Sequence, residues 1–188
     1  MPSREKILEK LAKTLDAERF EHCLRAEKIA LALAKKYRVS TAKTSLAALL
    51  HDCARRYDRP ALLRQARRLG LPIDPIRRFE PKLFHGEIGA DLARREFGVR
   101  STEIQRAISR HTTGAPGMTA LEKVIYLADH IEAGRDFPGV GRFRKLAFAD
   151  MDRAIYESTS AMIRFLLEKN LPVYPLTVET RNYFLSKL

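Results

Sequence analysis

The chain has 188 residues and a mass of 21.5 kDa, enough to bury one hydrophobic core without disulfide or metal staples. With 45% hydrophobic and 31% charged residues it reads as neither disordered nor membrane-spanning, and two cysteines, Cys23 and Cys53, are too few for a disulfide framework. The formal net charge of +12 is the outlier, and residues 55–110 alone hold 14 basic against 7 acidic side chains, a field that attracts nucleotides, nucleic acids or a membrane surface.

Helix signals recur along the whole chain and strand signals are almost absent. The N-terminal run MPSREKILEKLAKTL carries charges where a signal peptide needs its apolar stretch, so a cytoplasmic location is expected. Ser3 is expected to cap a helix over 4–14. Asp16 caps a longer one ending near Tyr37, with Ala26, Ile29, Leu33 and Tyr37 on one stripe. Ser40 or Thr41 opens a third helix, which the pattern carries through His51 and Asp52 to Arg56. Asp58, with Pro60 just inside, starts a fourth that Gly70 closes. Three prolines make 71–82 a connector with at most one helical turn. Further helices are expected from Phe84 to Gly98, from the Ser101 cap to His111, and from a Thr119–Glu122 capping box to Glu132. A glycine-rich loop over 134–142 precedes helices near 143–148 and 151–169, and the tail closes with a short helix capped by Thr177. The expected fold is all-α, in one domain over 1–188.

Chemistry enters with the histidines. His22 begins the stripe of Ala26, Ile29 and Leu33. His51 follows the small residues Thr44, Ala47 and Ala48. His85 precedes Ile88, Gly89 and Leu92, and His111 ends the stripe of Ile104, Ala107 and Ile108. Positions three and four apart share a helix face, so four histidines from four helices point where the core should be. Asp129 lies on the stripe of Leu121 and Ile125, and Asp52 follows His51 among small and apolar residues. An ionised carboxylate there is costly unless paired or metal-bound, and no Arg or Lys shares those stripes. Any single one of these histidines reads best as a satisfied core residue. The joint pattern reads as a metal cluster, with Asp52 able to bridge two ions. Its nitrogen-rich donor set suits Fe, Mn, Zn or Co better than Mg or Ca.

At these residues the sequence resembles the HD-domain phosphohydrolases, whose signature is the order His22, then His51-Asp52, then Asp129. The runs RFEH (19–22), LLHDCAR (49–55), HGEIGA (85–90), AISRHTTG (107–114), YLADHIEAGR (126–135) and VYPLTVETRNYF (173–184) look like the YqeK branch, the symmetrical bis(5′-nucleosyl)-tetraphosphatases. The resemblance implies an HD-domain helical bundle with a core over about 17–135 and C-terminal helices over 143–188 packed on it. It also implies a metal-dependent hydrolase that cleaves diadenosine tetraphosphate to two ADP. By the same resemblance His22, His51, Asp52 and Asp129 would hold iron, as one or two ions. His85 and His111 would complete a second metal site or contact the phosphates. Arg19, Thr112 and Arg135 would lie near the nucleotide, and the tail at Pro172, Tyr174, Pro175 and Thr177 would close over it. Asp52, His85, His111 and Arg135 are thus the catalytic candidates, with Arg135 as a phosphate clamp.

Two positions depart from the family pattern: Arg55 stands where HD-x-x-Lys has lysine, and His130 follows Asp129 where lysine is expected. Arg55 keeps the charge but not the point geometry of an ammonium. Two other functions compete. One keeps the metal site on another nucleotide, such as (p)ppGpp. The other is a basic helical nucleic-acid-binding protein, which is weaker because no base-reading helix stands out. The expected partners are the dinucleoside polyphosphate and ADP, with no membrane and no stable nucleic-acid complex, and a homodimer stays open.

Overall fold

Side-chain caps start most of the helices. The computed structural model describes residues 3–188. Its helices are α1 (Arg4–Thr14), α2 (Ala17–Lys36), α3 (Thr41–Leu50), α4 (Arg59–Arg68), α5 (Pro75–Phe79), α6 (His85–Phe97), α7 (Thr102–Arg110), α8 (Ala120–Ile131), α9 (Val140–Ala149), α10 (Met151–Glu168) and α11 (Pro175–Leu185). Short 3-10 turns occupy Cys53–Arg56 and Pro81–Phe84, and no strand occurs among the described residues. Ser3, Asp16, Ser40, Asp58, Ser101 and Thr119 each accept a hydrogen bond from a backbone N–H three residues on, as the capping pattern predicted. Gly98, at φ 65°, ends α6 in the left-handed conformation.

One apolar cluster runs from Ile7 of α1 to Phe184 of α11. Leu33, Leu49, Leu50 and Leu92 are fully buried in it, and each contributes on the order of 1.5–3 kcal/mol by leaving water. Small residues set the spacing around the future site. Thr44, Ala47 and Ala48 are buried on α3, which packs against α2, α7 and α8. A Cβ on Gly86 would stand 2.6 Å from the carbonyl oxygen of Ser109, so α6 and α7 touch there backbone to backbone. The C-terminal helices are tied on by polar contacts: Tyr126 to Thr159 at 2.8 Å, Lys123 to Asp152 at 2.5 Å, and Thr180 Oγ1 donating to the Thr113 carbonyl at 3.0 Å. No helix of the described residues is long and apolar enough to cross a membrane.

Four boundaries differ from the sequence expectation. The third helix stops at Leu50 instead of running to Arg56, and the His51 ring donates to the Ala48 carbonyl at 2.6 Å in its last turn. The backbone then leaves the helical region at Asp52 (φ −104°, ψ 13°), which frees that carboxylate to point inward. The connector holds more structure than one turn, because Asp74 caps α5 and Pro81 opens a second short turn. The ninth helix begins at Val140, just after Gly139 at φ 91°, which shortens the glycine-rich loop. Thr177 caps nothing: α11 starts at Pro175, whose ring presets the first-turn φ, and Thr177 lies buried inside that turn.

Candidate metal centre

Four imidazoles meet as two facing pairs. His22 Nε2 lies 3.1 Å from His51 Nε2, and His85 Nε2 lies 2.9 Å from His111 Nε2. The outer nitrogens fix the tautomers. His51 Nδ1 and His111 Nδ1 each donate to a backbone carbonyl at 2.6 Å, that of Ala48 and that of Ile108. His85 Nδ1 donates to the Lys82 carbonyl, and His22 Nδ1 faces the Glu132 carboxylate at 3.3 Å. A carbonyl or carboxylate oxygen can only accept, so each Nδ1 carries a hydrogen and each Nε2 is left to take a proton or a metal ion. Two lone pairs within about 3 Å repel unless a cation, proton or metal, lies between them.

Asp52 joins the two pairs. Its Oδ2 stands 3.6 Å from His22 Nε2 and 3.7 Å from His51 Nε2, while its Oδ1 stands 3.1 Å from His85 Nε2 and 3.5 Å from His111 Nε2. Asp129 Oδ1 completes the first group, 3.0 Å from His22 Nε2 and 3.8 Å from His51 Nε2. Donors bound at about 2.1 Å to one ion stand roughly 3.0–3.5 Å apart, so this set fits a divalent metal. His22, His51 and Asp129 form one compact donor group, and His51, Asp52 and His111 another.

Electrostatics follow the same division. Burial by itself would push the Asp52 carboxyl up, but His51, His111 and His85 around it hold it well below the usual carboxylate range. Burial likewise opposes ionisation of Asp129, and hydrogen bonds from His22 and His51 with the charge of Arg135 prevail. His51, drawn down by burial, ends raised by Asp52 and Asp129. His111 ends lowered, because burial outweighs its hydrogen bond to Asp52. The two aspartates thus stay charged inside a histidine cage.

Comparison with known proteins identifies the family. The HD domain family matches residues 19–134. The chain is 38% identical over 184 residues to the symmetrical bis(5′-nucleosyl)-tetraphosphatase of Bacillus subtilis, covering 98% of both chains. It is 39% identical over 183 residues to that of Halalkalibacterium halodurans, covering 97% of both. The chain belongs to the HD-domain family, in its symmetrical bis(5′-nucleosyl)-tetraphosphatase branch. The crystal structure of an HD superfamily hydrolase from Clostridium acetobutylicum, described as involved in NAD metabolism, superposes on this HD-domain protein with a TM-score of 0.96 at 35% identity, over 100% of both chains.

The fold of this HD-domain protein brings most of the sequence candidates together. Arg19 Nη1 donates to Asp52 Oδ2 at 2.7 Å, and Arg135 Nη2 to Asp129 Oδ1 at 2.6 Å. Both carboxylates therefore have the cations that their own stripes lacked, supplied from the start of α2 and from the loop after α8. Thr112 Oγ1 lies 3.1 Å from His85 Nε2 and 3.2 Å from His111 Nε2. Arg55 forms no side-chain hydrogen bond or ion pair among the described residues, and His130 stacks on Tyr126 at 5.9 Å instead of joining the cage. From the tail, Leu176 lines a cleft of about 210 Å³ beside Thr112. Pro172 lines a separate groove, with Pro75, Ile76, Phe79, Asn170 and Leu171. Tyr174 covers Arg77 at 4.9 Å, Pro175 is exposed, and Thr177 is buried.

The sequence reading passed over Glu132 and Arg25. Glu132 orients His22 and takes a 2.6 Å hydrogen bond from Arg25 Nε. Glu132 stands three residues beyond Asp129 and Arg25 three beyond His22, so helical spacing carried that signal. Gly134 leaves room for it, since a Cβ there would stand 2.6 Å from Arg25 Nε.

Proposed function

We propose that this chain hydrolyses diadenosine tetraphosphate symmetrically, adding water across the central P–O–P link and releasing two ADP. The observation that carries this reading is the pair of facing lone-pair sets joined by one carboxylate. A nitrogen-rich cage of that form suits iron, with Mn, Co or Zn as substitutes. His22, His51, Asp52 and Asp129 would hold one ion, and His85, His111 and the other oxygen of Asp52 a second. Such an ion supplies Lewis acidity and a water nucleophile near neutral pH.

The chain's own groups do the remaining work. Arg19, with its side chain 26% exposed, orients Asp52 and offers further N–H donors to a phosphate. Arg135, 37% exposed, holds Asp129 with one edge and can meet developing charge on the equatorial oxygens with the other. Thr112 places a hydroxyl at the His85–His111 pair, where it can donate to a phosphate oxygen. The departing group is a nucleoside diphosphate, stable as an anion, so a strong general acid is dispensable.

Metal analysis of freshly purified protein, combined with chromatography of the products, tests this. The expected result is one to two equivalents of transition metal and ADP as sole product. AMP with ATP, or no hydrolysis by metal-loaded protein, would refute it. His111→Ala separates the two roles of the second pair. It should lower metal content by about one equivalent if the pair ligates, and raise only the Michaelis constant if it contacts phosphate.

A further inference from the structure

The turn that follows α8 carries two groups of the site. Glu132, where the backbone leaves the helix (φ −54°, ψ 162°), faces His22 with its carboxylate. Arg135, three residues on, reaches back to Asp129. A helix end leaves its last carbonyls without partners inside the helix. Here one side chain, Arg144 of α9, takes them. Its Nε donates to the Ile131 carbonyl at 2.9 Å, and its Nη2 donates to the carbonyls of Glu132 and Arg135, both at 2.8 Å.

This arginine differs from an ordinary cation at a helix end. It is half-buried and forms no ion pair among the described residues, whereas Arg142, two residues earlier, pairs with Glu157 at 2.6 Å. Three of its five N–H groups are spent on carbonyls. Those carbonyls lie on both sides of the turn, so the planar fork fixes Glu132 and Arg135 relative to the end of α8. The helix that bears the fork is itself held, because Val140, Phe143 and Ala147 are buried and the Tyr37 hydroxyl donates to the Ala147 carbonyl at 2.8 Å. Arg135 has little slack: its Nε donates to the Asp129 carbonyl at 2.9 Å and its Nη2 to the Asp129 carboxylate at 2.6 Å. A shift of the turn by about 1 Å would break both bonds, and a misplacement of that size costs up to about 10²-fold in rate.

We propose that Arg144 is a positioning residue that braces the 132–135 turn, so that Arg135 meets the phosphates of the substrate and Glu132 keeps His22 aligned for a metal ion. Arg144 donates to none of the metal-centre side chains and acts through the turn alone. The part played through Arg135 rests on the diadenosine tetraphosphate reading above, and the part played through Glu132 does not.

Two variants test it. Arg144→Met removes the fork, while Arg144→Lys keeps a cation at the helix end, and with it the favourable interaction with the helix dipole, but cannot span three carbonyls. With metal in excess, each should lower kcat/KM for diadenosine tetraphosphate about tenfold or more in the otherwise wild-type chain. In Arg135→Ala each should lower it less than about threefold further, because the group being positioned has gone. Competition for Mn²⁺ against a chromophoric chelator, without substrate, should show binding about tenfold weaker in both variants, the scale of losing an outer-shell partner of a ligating histidine. In Glu132→Gln either substitution should weaken Mn²⁺ binding less than about threefold further. Arg144→Lys should melt close to the wild type, so a folding defect in Arg144→Met leaves the test intact. Wild-type kinetics and Mn²⁺ affinity in Arg144→Lys, or an equal fall in kcat/KM with and without Arg135, would overturn the brace. No tetraphosphate hydrolysis by the wild type, with Mn²⁺ binding weakened in Arg144→Lys, supports the brace and overturns the reaction. Hydrolysis by the wild type with neither readout moved in the variants overturns the brace alone.

Discussion

Asp52→Asn replaces one carboxylate oxygen with an amide nitrogen that donates and cannot ligate. Arg19 donates to Oδ2 at 2.7 Å, so the amide oxygen should stay on that side, where the distances to His22 and His51 are 3.6 and 3.7 Å. The amide nitrogen would then face His85 and His111, 3.1 and 3.5 Å from the present Oδ1, and donate into their lone pairs. One ion site is thus blocked outright and the other loses a unit of negative charge. A unit charge pair about 4 Å apart at an effective dielectric constant near 20 is worth about 4 kcal/mol, or roughly 10³-fold in affinity. Metal content should fall to at most one equivalent, and the metal-linked gain in stability should shrink by up to about 4 kcal/mol. Elemental analysis, melting with and without chelator, and chromatographic assay of ADP release read these three effects. In chelator, the variant should melt close to the wild type, since its amide satisfies the lone pairs that the metal would have met. Wild-type metal content and turnover in Asp52→Asn would refute the bridging assignment. A melting loss of the same size with chelator present would reduce the effect to a folding defect.

Arg135→Ala should lower kcat/KM for diadenosine tetraphosphate by roughly 10²–10³-fold, the scale of one charge-stabilising donor, with Arg135→Lys retaining part of the activity and metal content unchanged in both. Steady-state kinetics at the wild-type rate would instead make its 2.6 Å bond to Asp129 a purely structural one. Gly86→Ala places a Cβ 2.6 Å from the Ser109 carbonyl oxygen. It should cost about 1–3 kcal/mol in denaturant unfolding and, by parting His85 from His111, release one equivalent of metal. Asp91 accepts from Arg68, Arg95 and Arg94 at 2.6, 2.7 and 3.1 Å; burial opposes, yet these guanidiniums hold its carboxyl below the usual range. Its folded value lies below its unfolded one, so the stabilisation is present above the unfolded value near 3.9 and is lost as pH falls through the folded one. Asp91→Asn should cost about 1 kcal/mol at pH 7, discounted for the exposed arginines, and converge with the wild type in acid unfolding curves.

The helical class and most helix starts were legible in the sequence because both are local. A cap needs only its own side chain and a backbone N–H three residues on, and Asp16, Asp58 and Thr119 supply that wherever the chain goes. The side chains of the candidate metal centre were also legible, since a histidine or aspartate on an otherwise apolar stripe shows in the helical period. Pairing was not. That His22 faces His51 while His85 faces His111, with one Asp52 oxygen turned to each pair, depends on how closely α2, α3, α6 and α7 approach. Periodicity carried the third helix through His51 and Asp52, yet the chain breaks there, and the inward turn of Asp52 comes from that break. The counter-charges were equally out of reach. Arg19 comes to Asp52 across 33 residues and Arg25 to Glu132 across 107. Arg77 of the five-residue α5 likewise meets Glu87 of α6 only in space, beneath the ring of Tyr174 from the tail. A sequence specifies which groups a helix face presents; which groups meet across faces is decided by packing, where a missing Cβ at Gly86 sets distances that no local pattern records.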